Sequence, residues 1–541
     1  MTSKKKSLFK AIKKFVYFIS YFSCAHLWGT VCQMPDSTFL NLGEFTNTNA
    51  FYERGIYGQN VNVANIELHV PNVYEDSYLL FLKDANYSTY YPEEYTTERI
   101  GIHQNQTLAV MAGYNADYPD QNVSTGLAHK AAYTAVQAGE NTILLSADKV
   151  ILSTYEKFFS NGTEVISSSW KDSGENGHLT GAVLDSYACK NPSVVFVAAA
   201  SNDASEGAGN VNSPYKNMNV VKVGALDDTT CFKTISPSSS YGPNDFYNPI
   251  TGEVAKGVVS AVDISAAGTV YTMKANETLG NVSGTSLAAP IVSSAATLML
   301  SYSKEKNMDS SSRDARLIKS ILLNSAKKLD SWGNGTQIRD SATVNGKVFN
   351  GVFTTERALD YYSGAGALDA GQALSEYDKF GSTSFLGEVA KSDSVFYYFD
   401  SASEDAVLNA TLCWFAGSEV DNVIYDSSLN ISSIDASSSY FANLDLRLWY
   451  QDGAGELQLM AQSISEYNNV EHLYLNLDKS GSYALEIFFK DLIYGDAAKE
   501  TYALAWNLTQ PQIPEPSCAA MLAAISAFLG ICAKRIASSR R

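Results

Sequence analysis

The amino-acid sequence predicts an α/β fold, with a parallel sheet covered by helices on both faces, followed by a C-terminal antiparallel β-sandwich. Two observations lead to this prediction. Up to about residue 374, short valine-rich runs alternate with helical segments, which is typical of a parallel sheet buried on both faces. After about residue 380, strand-like segments alternate apolar and polar residues and are separated by turn residues, which is typical of a β-sandwich.

The individual elements follow from these patterns. The predicted buried strands are residues 61–66, 165–169, 194–199 and 220–225. The predicted helices include residues 108–113 and a long apolar helix at 287–302. In the second part, the predicted strands include 444–449 and 483–487, and the turns include 452–455 and 479–482.

The charge balance and the distribution of apolar residues exclude two classes of protein. The chain has 541 residues, 45% of them hydrophobic, and a net charge of −18. Ten of its 39 Lys and Arg residues lie in the two ends, which leaves 29 cations against 57 anions in the body. This balance predicts no nucleic-acid partner, because phosphate binding needs positive charge. A polytopic membrane protein is also excluded, since the chain between its ends lacks an apolar run of about 20 residues.

The first 30 residues are typical of a secretory signal peptide, because a Lys-rich start precedes an apolar stretch at 15–22. An uncleaved N-terminal anchor and a lipoprotein attached through Cys24 are the alternatives. At the other end, residues 514–541 contain Pro-Glu-Pro, a short apolar segment and terminal cations. This order resembles the PEP-CTERM sorting signal of Gram-negative bacteria. The resemblance implies processing by an exosortase, transient membrane anchoring and a place at the cell surface or in the extracellular matrix.

Seven cysteines are too few and too scattered for a disulfide scaffold. Four lie in or beside the terminal signals. Of the remaining three, Cys189, Cys231 and Cys413, the first two are the candidate pair for a disulfide bridge. None of the cysteines and histidines has zinc-ligand spacing.

The chemistry of the chain centres on residues 284–290, which read GTSLAAP. Here Ser286 begins the long apolar helix, where its hydroxyl faces the positive end of the helix dipole. Ser at a helix start is usually only a cap. The whole string, however, resembles the nucleophile motif of the subtilisin-like serine proteases, or subtilases.

Further blocks resemble that family in its order of acid, histidine and serine. Glu67 ends the strand block VNVANIE, and His103 begins the helix block HQNQTLAVMAG. Asn202 ends the block AAASN. Three more blocks are GLAHKAAY at 126–133, SSSW at 167–170 and GAGALDA at 364–370. The resemblance covers about 330 residues.

The resemblance implies a role for each residue. Ser286 is the nucleophile, His103 the general base, Glu67 the acid that orients His103, and Asn202 a donor to the oxyanion. The substrate-binding residues implied by the same blocks are Ser169, Trp170, Lys171, Ala199, Ala200 and Ser201. Among the other histidines, His69 is the rival to His103, because it lies two residues past Glu67.

Several positions depart from the family pattern. Glu67 stands where most subtilases have Asp, so a degenerate site with weak or no activity is the alternative to a working triad. Gln104 and Asn105 are bulkier than the usual Gly-Thr and predict a narrower rim. Ser201 and Lys171 each replace a Gly beside the expected P1 site, and Lys171 is either a contact for an acidic substrate group or a solvated charge.

The predicted organisation is a signal peptide at 1–30, a subtilisin-like peptidase domain at 45–378, a jelly-roll-like sandwich at 381–510 and the sorting signal at 514–541. About 30 residues separate the signal from the first strand, too few for the inhibitory propeptide of many subtilases. The chemistry requires no cofactor. The loop containing Asp117 and Asp120, where Asn115 and Asn122 also lie, is a candidate site for a structural Ca²⁺, with simple solvated acids as the alternative.

We therefore predict an exported serine endopeptidase that acts on proteins or peptides through an acyl-enzyme. One alternative is a weakly active or inactive surface or matrix scaffold that keeps the fold. An esterase with the same triad is a further alternative.

Overall fold

The computed structural model describes residues 42–71, 81–93, 101–117, 126–138, 148–171, 177–212, 214–274 and 278–509. The signal peptide at 1–30, the sorting signal at 514–541 and Asp120 lie outside the described residues. The first part of the chain is organised around a seven-stranded sheet in the order β2-β3-β1-β4-β5-β6-β9, in which all neighbours are parallel. Its strands are β1 Asn62–Glu67, β2 Tyr87–Tyr90, β3 Ala132–Gln137, β4 Val165–Ser168, β5 Val195–Ala199, β6 Val221–Leu226 and β9 Ile264–Ala267.

Helices cover this sheet, as a parallel sheet requires. They are α1 Leu42–Phe45, α2 Asn49–Tyr52, α3 Ile102–Ala112, α4 Asp148–Ser160, α5 Gly177–Lys190, α6 Thr285–Glu305, α7 Ala315–Asn324 and α8 Ala370–Tyr377. The central helix α6 packs on β4, β5 and β6 and on helix α3. Within the described part of the chain, α6 is the one helix long and apolar enough to cross a membrane, and 94% of its most apolar stretch is buried in the fold.

The second part of the chain forms two antiparallel layers. Its strands are β14 Ser384–Ala390, β15 Ser394–Ala402, β16 Val407–Trp414, β17 Asn422–Tyr425, β18 Ile431–Asp435, β19 Phe441–Gln451, β20 Leu457–Ser463, β21 Val470–Asn476, β22 Gly481–Tyr494 and β23 Lys499–Thr509. One layer has the order β14-β23-β16-β21, and the other contains β20-β19-β22-β15. Strands β17 and β18 belong to neither layer and pair with each other in a two-stranded sheet. The inner faces share one apolar core that includes Trp414, Leu446 and Leu485. The predicted fold class is confirmed.

Three further hairpins occur among the described residues before the sandwich: β7 Asn244–Tyr247 with β8 Val254–Val259, β10 Thr269–Met273 with β11 Leu279–Ser283, and β12 Gln337–Val344 with β13 Lys347–Thr354. The last hairpin extends the sandwich. Strand β13 pairs in parallel with β20, placing Phe353 opposite Ala461 and Thr354 opposite Gln462. A segment inside the predicted peptidase range therefore completes a sheet of the second part.

The two parts also share a core. Helix α7 packs against β16 and β23 of the four-stranded layer. The apolar cluster around the parallel sheet includes Cys413, Ala503 and Ala505 of that layer. At this seam the Thr411 hydroxyl donates to the Asn324 side-chain oxygen at 3.1 Å. The sandwich thus packs directly against one side of the parallel-sheet part and is not connected to it by a linker alone.

Candidate active site

Four of the predicted residues lie at the ends of elements that meet above the parallel sheet. Glu67 is the last residue of β1, and Asn202 follows the end of β5 by three residues. His103 and Ser286 are the second residues of α3 and α6. The carboxyl edge of a parallel sheet is where such folds bind ligands, because loops and helix N-termini converge there.

The structure brings Glu67 and His103 together. Glu67 Oε2 lies 3.1 Å from His103 Nδ1. The Glu67 side chain is 2% exposed, whereas that of His103 is 40% exposed. A buried carboxylate thus holds one ring nitrogen, and the exposed part of the ring is available to a substrate.

The other carboxylate oxygen of Glu67 is also used. Glu67 Oε1 accepts a hydrogen bond from the backbone N–H of Ser169 at 3.1 Å. The side chain of Gln104 ties the start of α3 to β1 by donating to the Asn65 carbonyl at 3.1 Å. Glu67 and His103 are therefore fixed from both sides, so the longer Glu side chain is accommodated without losing its contact to the imidazole.

The charge of Glu67 tunes the imidazole. Burial lowers the pKa of His103, but the negative charge of Glu67 and the hydrogen bond to it raise the pKa, and the net pKa lies above its usual value. A raised pKa makes the ring a stronger base, and the carboxylate stabilises the imidazolium that forms when the ring takes a proton.

Ser286 and Asn202 form the other half of the site. Thr285 donates to the Asn202 side-chain oxygen twice, from its backbone N–H at 2.9 Å and from its hydroxyl at 3.1 Å. This clamp leaves the amide nitrogen of Asn202 as a donor. A Cβ at Gly284 would lie 3.3 Å from both Asn202 Nδ2 and Ser286 Oγ. The space between donor and hydroxyl is thus open because position 284 has no side chain.

Within the described residues, no hydrogen bond joins His103 to Ser286. The two halves are held on helices that pack against each other, α3 and α6. Catalytic hydrogen bonds are often long in ligand-free structures and tighten when substrate binds. The arrangement can supply a nucleophile, a base with its orienting acid, and an oxyanion donor.

Three of the other described histidines are occupied elsewhere. Strand β1 ends at Glu67, so His69 does not continue the strand, and its ring packs against Gly101. His129 stacks on Tyr114, with ring centroids 5.4 Å apart. His472 is buried in the sandwich, where its Nδ1 lies 2.8 Å from the Thr411 hydroxyl. Compared with these three rings, it is the imidazole of His103 that hydrogen-bonds Glu67.

The predicted substrate-binding residues line the same edge, but most of their side chains are inside. Trp170 is 6% exposed, and Ala199 and Ala200 are at most 2% exposed. Ser169 is 7% exposed and uses its backbone N–H on Glu67. Any contact of these residues with a substrate would therefore run mainly through backbone atoms.

Ser201 has a φ of +86°, a conformation that favours glycine. The Gly that subtilases usually carry here suits this backbone. Ser201 is 4% exposed, and its hydroxyl donates to the Asn212 side-chain oxygen at 2.8 Å. This contact holds the strained residue immediately before Asn202, at a cost of about 1 kcal/mol or more.

Lys171 is not a free charge. Its ammonium lies 2.6 Å from Asp203 Oδ2, and the two side chains are 42% and 17% exposed. The ion pair links the segment after β4 to the segment after β5, next to Asn202.

Gln104 and Asn105 are 0% and 3% exposed, so the expectation that they narrow the rim of the site is wrong: helix α3 turns both side chains into the core.

The loop after helix α3 contains the predicted Ca²⁺ ligand Asp117. The carboxylate of Asp117 pairs with Lys83. Asp120 and Asn122 lie outside the described residues, so the Ca²⁺ site stays a prediction. No cluster of three or more His, Cys, Asp or Glu suited to a metal occurs among the described residues.

Cys231 is in a disulfide, but Cys189 and Cys413 are free thiols. The Cys189–Cys231 pairing is therefore wrong; the Cys189 thiol instead contacts the Ala416 carbonyl of the sandwich at 3.1 Å.

Comparison with known proteins identifies the domain. Residues 83–348 match the sequence model of Peptidase_S8, the subtilase family. The chain contains a subtilase-family protease domain. Subtilisin DY of Bacillus licheniformis is 27% identical over 250 residues, which cover 46% of this chain and 79% of subtilisin DY.

Solved structures similar to this chain include two proteases. The prenylagaramide maturation protease PagA is 19% identical and has a TM-score of 0.42, covering 61% of this chain and 98% of PagA. The self-cleaved protease domain of PatA is 19% identical and has a TM-score of 0.43, covering 60% of this chain and 99% of that domain.

Sequence reasoning did not find the residues that hold the four candidate active-site side chains in place. The Ser169 N–H on Glu67, the Thr285 clamp on Asn202 and the partner Asp203 of Lys171 were all missed. Thr285 lies inside the quoted GTSLAAP string and Asp203 directly follows Asn202. Adjacency to a predicted site residue is therefore the sequence signal that both share.

Proposed function

We propose that the subtilase domain is an active serine endopeptidase that hydrolyses peptide bonds through an acyl-enzyme. The observation that carries this proposal is the 3.1 Å contact of Glu67 Oε2 with His103 Nδ1, combined with the second anchor of Glu67 on Ser169. The buried Glu is positioned as the orienting acid of a triad needs to be, although most subtilases have Asp at this place.

Each residue has a defined step. Ser286 Oγ attacks the peptide carbonyl while His103 Nε2 takes its proton. The Asn202 amide and the Ser286 backbone N–H stabilise the oxyanion that forms. His103 then protonates the leaving amine, and water activated by the same ring hydrolyses the acyl-enzyme. Glu67 keeps the ring in the tautomer that has Nε2 free.

The place of action is a separate part of the proposal. Its support is the Lys-rich, apolar start and the Pro-Glu-Pro tail, both of which lie outside the described residues. We propose export, transient anchoring at the C-terminus and release to the cell surface after processing by an exosortase. The fate of epitope tags at the two ends, followed in the native host, tests this route; full-length protein retained in the cytoplasm would exclude it.

A non-catalytic scaffold is the second candidate. It is favoured by the missing hydrogen bond between His103 and Ser286 in the described residues and by Glu at the acid position. The clamp on Asn202 argues for catalysis, because a scaffold has no need to orient an amide donor beside a serine hydroxyl.

A fluorophosphonate probe distinguishes the two candidates without knowledge of the substrate, since the activated serine displaces fluoride from phosphorus. The full chain and its Ser286→Ala variant would be treated in parallel, with Ser283→Ala as the matched control on the neighbouring strand. We expect labelling of the wild type and of Ser283→Ala and none of Ser286→Ala. Absence of labelling in a folded wild type would support the scaffold.

A further inference from the structure

The strand that carries Glu67 and the helix that carries His103 are joined by a second, buried set of polar contacts. Asn65 lies two residues before Glu67 on β1, and Thr107 lies four residues after His103 on α3. Residues two apart on a strand share a face, as do residues four apart on a helix. The pairs Glu67–His103 and Asn65–Thr107 are therefore successive contacts between the same faces of β1 and α3.

This second set is a closed ring of three hydrogen bonds. The Asn65 side-chain amide donates to the Thr107 hydroxyl at 2.9 Å. That hydroxyl donates to the Gln104 carbonyl at 3.2 Å. The Gln104 side-chain amide donates to the Asn65 carbonyl at 3.1 Å, which closes the ring. Two of the three bonds cross from β1 to α3, so a shift of the helix along the strand would break them.

The ring is unfavourable for the core in which it lies. Asn65, Gln104 and Thr107 are all 0% exposed. The side-chain oxygens of Asn65 and Gln104 have no hydrogen-bond partner among the described residues. An unpaired buried acceptor destabilises a fold, and apolar side chains of similar volume would fill the same space without one. Polar side chains at these positions therefore point to a purpose other than stability.

The ring adjoins the position at which this chain departs from the subtilase pattern. Glu67 is one methylene longer than Asp, so the helix that carries His103 has to stand at a matching distance from β1. Gln104 occupies the place of a glycine in the subtilase motif, and a glycine has no side chain that could donate to the Asn65 carbonyl. The contact of Glu67 with His103 is thus accompanied, one residue further along α3, by a bond that the usual motif cannot make.

We infer that Asn65, Gln104 and Thr107 are positioning residues, which hold α3 at the separation from β1 where Glu67 reaches His103. They act through that contact and not on the substrate. The inference rests on the proposed function for its effect on catalysis, but the setting of the imidazole can be measured without catalysis.

The test measures the pKa of His103 and the rate of fluorophosphonate labelling in the full chain. Thr107→Val removes the hydroxyl of the ring at nearly constant volume, and Gln104→Met removes its amide at nearly constant length. NMR titration of isotope-labelled histidine gives the pKa, with the His103 signal identified by its loss in His103→Ala.

We expect both ring variants to lower the pKa of His103 by about half a unit or more, which is a part of the roughly one to three units that an adjacent opposite charge contributes. The Glu67 charge would lie farther from the imidazole in both. Labelling should slow by about tenfold or more, since a displacement of about 1 Å can cost about 10²-fold in rate.

Control variants separate positioning from packing. Thr107→Ser returns the hydroxyl that Thr107→Val lacks, and it should restore the pKa of His103 and most of the labelling rate. Thr154→Val removes a buried hydroxyl of α4, which donates to the Val150 carbonyl at 2.8 Å, and it should change neither quantity. Gln104→Met also removes an unpaired oxygen, so its melting temperature should not fall.

The outcomes are distinct from those for catalysis itself. A wild type that does not label, but whose His103 pKa falls in the ring variants, would overturn the proposed function and support the positioning role. An unchanged pKa in either folded ring variant, an equal fall in Thr154→Val, or a Gln104→Met variant that does not fold would overturn the inference. If Thr107→Val does not fold, Gln104→Met decides alone. Slower labelling with a lower melting temperature and an unmoved pKa would also overturn it, because a merely structural contact behaves in that way.

Discussion

Replacing Glu67 by Gln tests the proposed triad most directly, because only one of its two hydrogen bonds changes character. The Ser169 N–H would still need an acceptor, so the Gln oxygen would take the place of Oε1. The Gln NH₂ would then face His103 Nδ1 at about the 3.1 Å of the present contact. A donor at that position requires Nδ1 to be the acceptor, which moves the imidazole proton to Nε2, where the ring can no longer take a proton from Ser286.

The expected loss is large. An amide in place of the orienting acid costs about 10⁴-fold in serine proteases with a comparable triad, which corresponds to about 5.5 kcal/mol in the barrier. The pH dependence should change too. His103 loses the charge that raises its pKa, so the acid limb of the activity profile should move to lower pH. A general base must be neutral to act, and a lower pKa keeps it neutral further into acid.

The assay is the rate of fluorophosphonate labelling between pH 5 and 9, which needs no knowledge of the natural substrate. Glu67→Asp is the matched variant: one methylene less retracts the carboxylate by about 1.5 Å, from 3.1 Å to beyond hydrogen-bond distance, and predicts an intermediate loss. A Gln variant that labels within threefold of the wild type, with an unmoved acid limb, would refute the assignment of Glu67 as the orienting acid.

Three further predictions concern the oxyanion donor and the stability of the fold. Asn202→Ala should lower the labelling rate by about 10²–10³-fold with an unchanged acid limb, because it removes a donor and leaves the base in place; a shifted limb would contradict this role. Trp414 is 1% exposed in the sandwich core and donates to the Ala442 carbonyl, so Trp414→Ala should cost about 3–5 kcal/mol of the free energy of unfolding, measured by denaturant titration, and a loss below about 1 kcal/mol would contradict the described packing. Glu500 is buried at the seam, and burial raises its pKa to about 8, partly offset by the charge of Arg316. Because the folded pKa lies above the unfolded one, its contribution to stability is complete below about pH 4.5 and is lost as pH rises through 8. Thermal melts should therefore show Glu500→Gln gaining stability relative to the wild type between pH 5 and pH 9, and an equal offset at both values would rule this out.

The sequence allowed much of the architecture to be predicted, because the signals are local. Valine-rich runs at 61–66 and 194–199 became β1 and β5, and the apolar run at 287–302 became most of α6. Strand periodicity depends on neighbouring residues only, so it survives without knowledge of the fold. The hairpin β12–β13 was not anticipated, since its pairing with β20 joins residues about 100 positions apart.

The pairing of side chains was harder to predict. The Cys189–Cys231 bridge rested on the number of cysteines, whereas a disulfide requires two Cα atoms within about 7 Å. Helix α5 instead turns Cys189 toward the sandwich, where the thiol meets the Ala416 carbonyl. The same limit applies to Lys171, whose partner Asp203 lies on the loop after a different strand.

For the candidate site, the sequence by itself determined the residue types: a serine at a helix start, a glycine beside it, a histidine on another helix and a carboxylate at a strand end. These identities are chemical and do not change on folding. Only the tertiary structure decided that Glu67 meets His103 and not His69, and that Ser169 holds the second carboxylate oxygen. Such contacts join segments tens to hundreds of residues apart, and their distances depend on how the sheet, the helices and the sandwich pack.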